Sequence, residues 1–103
     1  MKSADKILKE ELLRERGYMC EHCYSRYATD QHHCLIGRDV RFPQLNCKEN
    51  YMMVCHECHM EGLVDSREVK DRFWQTQCKR YGSTHMDLWL ANLPLKIKPR
   101  YHA

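Results

Sequence analysis

Two Cys-x-x-Cys pairs, Cys20/Cys23 in "CEHC" and Cys55/Cys58 in "CHEC", restrict this chain more than any other feature it carries. Each pair presents two sulfurs from one tight turn. Residues 24–54 lie between them, 31 in all, enough for a hairpin to leave one turn and return to the other. Four thiolates gathered in this way make a tetrahedral zinc site of the closed, structural kind, with no open position for substrate. A disulfide scaffold is the competing explanation, but it goes with an even cysteine count and a secretory signal. Here the count is seven, and no long apolar segment follows the Lys-rich N-terminus. Buried free thiols would not come as two regular pairs. Zinc also compensates for a modest core, since 103 residues suit a single domain over 1–103 with little apolar surface to spare.

Composition narrows the class further. At 43% hydrophobic and 30% charged residues, the chain is neither a disordered tail nor a membrane protein. No apolar run approaches the ~18–20 residues of a membrane span, so the expected location is intracellular and cytoplasmic. A net charge of +3 permits an anionic partner without demanding one.

Periodicity predicts a helix over 4–16, with Ile7, Leu8, Leu12 and Leu13 among charges and Gly17 as its stop. Residues 29–54 lack that period and contain "GRD" and "FPQLN", which predicts two strands joined by a long loop. The second cysteine turn should lead into a short helix ending near Gly62. Asp65 with Glu68 reads as a capping box before a helix carrying Val69, Phe73, Trp74, Cys78 and Tyr81 on one stripe, closed by Gly82. Thr84 then caps a last helix with Met86, Trp89, Leu90 and Leu93 on one face, and Pro94 stops it. The expected fold is α+β: a zinc-braced core over about 18–62, a helical extension over 65–93, and a basic tail over 94–103. Cys34, Cys47 and Cys78 remain as small core residues, with Cys34 or Cys47 as an alternative zinc ligand.

The stretch "TDQHHCLIGR" places His32 and His33 side by side. Neighbouring side chains on a strand point to opposite faces, so the pair is two ligands, a ligand beside a base, or two unrelated surface residues. Asn50 opens the returning strand, and His59 follows the second cysteine turn directly. Histidine, asparagine and histidine in this order, between two Cys-x-x-Cys pairs, resemble the HNH endonuclease family with its ββα-metal fold. The resemblance covers about 18–62.

By that resemblance His32 and His59 are ligands of a catalytic divalent ion such as Mg²⁺ or Mn²⁺, and His33 is the general base that deprotonates water. Asn50 fixes the hairpin loop and orients the catalytic histidine, and Asp30 supports His32. The physics of phosphodiester hydrolysis agrees, because it needs an activated water and a cation to stabilise developing charge. An imidazole with an unperturbed pKa of about 6.5 accepts protons near neutrality. Some family members carry a further ligand histidine four residues after the one matching His59, where this chain has Leu63.

The implied partner is DNA. Arg38 is a candidate phosphate grip, against the alternative of an exposed arginine with no specific role. Lys96, Lys98 and Arg100 either add sequence-independent phosphate contacts or form a solvated tail. His22 and His56 read as exposed spacers, and His85 and His102 carry no signal. Small HNH proteins of bacteriophages are similar in arrangement, which makes phage packaging proteins further candidate partners by analogy. Two other readings stay open: an inactive zinc-stabilised nucleic-acid-binding module, and an adaptor of a larger nuclease or packaging complex.

Overall fold

The computed structural model describes residues 3–102, with side chains for 3–101; the His102 side chain thus lies outside the described residues. The chain is α+β, with four α-helices and one two-stranded antiparallel sheet among the described residues. In order these are α1 (Ala4–Arg16), β1 (Asp30–His33), β2 (Tyr51–Val54), α2 (His56–Met60), α3 (Arg67–Tyr81) and α4 (Ser83–Ala91), with 3₁₀ turns at Pro43–Leu45 and Lys98–His102. No described helix is long and apolar enough to cross a membrane.

Local chemistry accounts for the ends of α1. Ser3 Oγ accepts from the Lys6 amide at 3.1 Å, filling one of the orphan donors of the first turn. At the other end Gly17 takes φ +86°, a value costly for any residue with a Cβ. The start of α3 differs from the sequence reading: Ser66, not Asp65, is the cap, its Oγ accepting from the Val69 amide at 3.2 Å. Thr84 is likewise displaced as a cap, because α4 begins at Ser83 behind Gly82 and has no side-chain cap.

The sheet is the partition of the molecule. Its register pairs Asp30 with Val54, Gln31 with Met53, His32 with Met52 and His33 with Tyr51. Cross-strand partners share a face and successive residues alternate. Tyr51 and Met53 pack under α1 with Leu12 and Ala28. Met52 and Val54 face the larger cluster, which gathers Leu35, Ile36, Leu45, Val64, Phe73, Met86 and Leu93. All four residues of β2 are therefore buried. On α3 the buried positions are Val69, Phe73 and Gln77, and Trp74, Cys78 and Tyr81 of the predicted stripe pack, partly buried, against the same core. Gln77 is 0% exposed, and its amide donates to the Lys48 and Glu49 carbonyls at 2.9 and 3.0 Å. Those bonds offset the cost of burying it.

The C-terminal segment is not a free basic tail. Ile97 and Tyr101 belong to the main core cluster, and Tyr101 meets the Trp74 ring at 5.1 Å between centroids. Arg100 folds back to Asp39, with Nη1 3.0 Å from Oδ2.

Candidate functional site

The four sulfurs of Cys20, Cys23, Cys55 and Cys58 lie within 4.8 Å of one another, the one group of three or more such donors that converges this tightly among the described residues. Backbone geometry builds it. Cys20 Sγ accepts from the His22 and Cys23 amides at 3.4 and 3.5 Å. Cys55 Sγ accepts from the Cys58 amide at 3.5 Å and so acts as the N-cap of α2. The two turns are held together by the chain on either side, with Glu21 N donating to Met53 O at 2.8 Å and Thr29 N to Val54 O at 2.9 Å.

Zinc–sulfur bonds of about 2.3 Å in a tetrahedron put sulfurs about 3.8 Å apart; Cys23 and Cys55 stand at 3.9 Å. The donor set therefore fits zinc. Its electrostatics also favour a cation. The Ser25 backbone amide leads in pulling the Cys23 thiol down to about 6, while burial and the neighbouring sulfurs push Cys58 up. Arg26 stands outside the cluster with Nη1 3.8 Å from both Cys23 Sγ and Cys55 Sγ, where its charge would offset the excess of four thiolates over one divalent ion. Cys34 and Cys47 take no part in the cluster. Burial pushes their thiols up to about 12 and about 11, the behaviour of inert core cysteines.

A second group of side chains lines an open cleft of about 760 Å³, the size of a ligand site, at the end of the sheet: Asp30, His32, His33, Arg38, Asn46, His59 and Asp65 among others. The strand register divides the histidine doublet. His32 lies on the face of Met52, its ring 5.3 Å from that of His59. His33 lies on the face of Tyr51, against whose ring it packs edge-on at 4.8 Å.

His32 is buried, and burial pulls its imidazole pKa down despite Asp65 and the Val64 carbonyl nearby. A neutral ring is what a metal requires. Its Nε2 stands 3.1 Å from Val64 O and 3.6 Å from Asp65 Oδ1. Two imidazoles bound to one ion through metal–nitrogen bonds of about 2.1 Å would have centroids roughly 5 Å apart, so the His32–His59 spacing fits a shared divalent ion.

Asp30 differs from expectation. Its Oδ2 meets His59 Nδ1 at 2.9 Å and His56 Nδ1 at 3.1 Å, and no bond to His32 is formed. Strand pleating puts Asp30 on the His32 face, but α2 begins right over it and delivers His59 and His56 first. Burial alone would raise the Asp30 carboxyl; the hydrogen bonds from His59, His56 and Thr29 outweigh it, and the net shift is downward. Asp30 thereby fixes the His59 ring and leaves its Nε2 facing away, the common arrangement behind a ligating histidine. His56, read as a spacer, is exposed but engaged.

Asn50 is wholly buried and ties the loop shut. Its Oδ1 accepts from the Leu35 and Ile36 amides at 3.0 and 2.9 Å, and its Nδ2 donates to the Ile36 and Leu45 carbonyls at 2.8 and 3.1 Å. Its side chain makes no hydrogen bond to His33 among the described residues. The hydrogen-bond partner of His33 is Asn46, whose Oδ1 lies 2.8 Å from His33 Nε2, a residue no sequence signal singled out. With the amide assigned this way round, Nε2 carries the proton and Nδ1 keeps the lone pair.

Arg38 lies exposed at the cleft, with no hydrogen bond or ion pair among the described residues. Lys96, Lys98 and Arg100 are not brought to it. Lys98 lines a separate depression with Asp87 and Leu90, and Arg100 is engaged by Asp39. The docking of Ile97 and Tyr101 into the core directs the tail elsewhere. No family model, curated protein or solved structure matches the chain.

Proposed function

We propose that this chain is a metal-dependent endonuclease of the HNH type, hydrolysing DNA phosphodiester bonds. The observation that carries the reading is the division of the doublet across the strand. One imidazole, His32, is buried, neutral and beside His59; the other, His33, is held by Asn46 at the open side of the same cleft. A divalent ion such as Mg²⁺ or Mn²⁺ on His32 and His59 would polarise the scissile phosphate and stabilise charge on the leaving oxygen. His33 takes the proton of the attacking water on Nδ1, while Asn46 keeps the ring from turning. Arg38 supplies a free guanidinium for the non-bridging phosphate oxygens. Asn50 acts at one remove, by holding the loop between His33 and Asn46 in shape. One such site per chain makes nicking the simple outcome.

The second reading, an inactive zinc-stabilised module that binds nucleic acid, is favoured by one observation: His32 Nε2 already has the Val64 carbonyl as partner. Supercoiled plasmid separates the two. On the first reading purified protein converts it to open circles when Mg²⁺ or Mn²⁺ is added, and His33→Ala does not. Binding without nicking under any divalent ion would overturn the nuclease and leave the module.

A further inference from the structure

We propose that Asp65 is the third protein ligand of the cleft ion, which makes the site a two-histidine, one-carboxylate centre of His32, His59 and Asp65. The inference rests on the reading of His32 and His59 as ligands, and it identifies a donor that the motif does not contain.

The argument starts from what Asp65 is not doing. Ser66 caps α3, so the Asp65 carboxylate is not needed there. The turn before it is closed by Asp65 N donating to Gly62 O at 3.2 Å, with Gly62 at φ +71°. A Cβ on Gly62 would come within 3.3 Å of Asp65 Oδ2, so this glycine provides both the turn and the room for the carboxylate. That carboxylate lines the cleft, 64% exposed, with Oδ1 3.6 Å from His32 Nε2. It makes no hydrogen bond among the described residues.

The other cleft acids are committed elsewhere. Asp30 holds His59 and His56, and Asp5 accepts from the Tyr51 hydroxyl at 2.7 Å. Asp65 is the acid left facing an imidazole nitrogen.

The spacing suits a shared ion. Nitrogen and oxygen donors at about 2.1 Å from one metal stand about 3.0 Å apart in an octahedron and about 3.4 Å in a tetrahedron. The His32–Asp65 distance of 3.6 Å is close to these values. His32, His59 and Asp65 do not all lie within 4.8 Å of one another, so binding the ion requires the exposed Asp65 and part-exposed His59 side chains to close on it. Leu63, four residues beyond His59, cannot ligate and is half exposed; Asp65, two residues further, reaches the site from the turn instead. Ion binding requires His32 Nε2 to release the Val64 carbonyl, and the three donors are less tightly gathered than the four sulfurs. Two imidazoles and one carboxylate leave positions for water and phosphate and favour Mn²⁺, Co²⁺ or Zn²⁺ over Mg²⁺.

The test measures the ion directly, on full-length protein that retains its cysteine-bound zinc. Mn²⁺ binding is followed by loss of the free-ion paramagnetic resonance signal, and Co²⁺ binding by visible absorption. The wild type is expected to bind one Mn²⁺. Asp65→Asn and Asp65→Ala should weaken it by about 100-fold or more, beyond the roughly 10–100-fold typical for a residue that only orients a ligand. Their Co²⁺ spectrum should also change in band position and intensity, which a purely orienting residue would not cause. Asp65→Glu should recover part of the affinity. Since Asp65 is exposed, circular dichroism and zinc content should stay at wild-type values in all three variants. Wild-type Mn²⁺ affinity in Asp65→Asn together with lost affinity in His32→Ala overturns the inference alone. Wild-type affinity in His32→Ala overturns the reading beneath it.

Discussion

The ring of His33 is held by a loop residue that the sequence does not single out, Asn46, whose side-chain oxygen lies 2.8 Å from Nε2. If that bond sets the tautomer and the aim of the ring, Asn46→Ala should leave divalent-ion binding unchanged and lower the nicking rate by about tenfold or more. His33→Ala should lose roughly 10²–10⁴-fold, the usual worth of general-base catalysis. Single-turnover cleavage with a metal titration on each variant checks both, and an Asn46→Ala rate equal to wild type would remove Asn46 from the mechanism. The doublet, Asn50 and His59 were legible in the sequence because they stand in a fixed order between two Cys-x-x-Cys pairs. Asn46 and Asp65 were not, because a polar residue in a loop announces nothing until the loop is folded. Asp65 was misdirected further by an acid-x-x-Glu spacing that imitates a cap, while Ser66 beside it makes the bond.

Among the elements, α1 has the least obvious attachment. Its last residue, Arg16, is 1% exposed in the side chain and meets Glu21, 5% exposed, at 3.2 Å. The same guanidinium donates to Tyr51 O at 2.5 Å, Lys48 O at 2.8 Å and the Tyr81 hydroxyl at 3.0 Å. Glu21 in turn accepts from the Met53 amide at 2.7 Å and pairs with Arg80. One ion pair thus joins α1, the first cysteine turn, β2 and α3. Removing the Arg16 guanidinium leaves Glu21 with Arg80 as its cation but takes the donor from the Tyr51 and Lys48 carbonyls, a loss on the order of 3 kcal/mol. Arg16→Met should therefore lower stability by that order, while Arg14→Met, on the exposed side of the helix, should change it by less than about 0.5 kcal/mol. Denaturant unfolding of the two variants decides it; equal effects would mean that Arg16 contributes only its aliphatic packing. The helix itself was legible from its leucines and its Gly17 stop. Its anchor was not, since apart from Glu21 the partners of Arg16 lie 32 to 65 residues along the chain, and a basic residue in a last helical turn normally faces water.

The whole molecule is braced at two places of unequal strength. At the C-terminal end, Ile97 and Tyr101 pack into the core and Arg100 reaches Asp39, an attachment hidden in a sequence that reads simply as basic. Hydrogen bonds from the Arg41 side chain and amide, and then from Arg100, hold the Asp39 carboxyl far below the usual carboxylate range. A folded pKa below the unfolded value of about 3.9 contributes stability that is present above that value and lost as pH falls through the folded one. Wild type should thus melt above Asp39→Asn near neutrality, with the gap closing below about pH 4; a constant gap across pH would exclude the carboxylate's charge as its source. The stronger brace is the four-cysteine cluster, legible from spacing alone because two short covalent turns fix where four sulfurs can meet. Structural zinc in small modules is worth roughly 10–16 kcal/mol, as much as the 5–15 kcal/mol by which whole domains are stable. Folding and zinc binding should therefore be one event here. Folded protein should carry about one zinc per chain, and Cys58→Ser should abolish the cooperative unfolding transition. The cleft ion, on imidazole and carboxylate, should come away first. A weak chelator should arrest nicking with the circular dichroism spectrum unchanged, and only a chelator strong enough to compete with four thiolates should unfold the chain. Zinc-free protein that still melts cooperatively at the wild-type temperature would overturn this order of events.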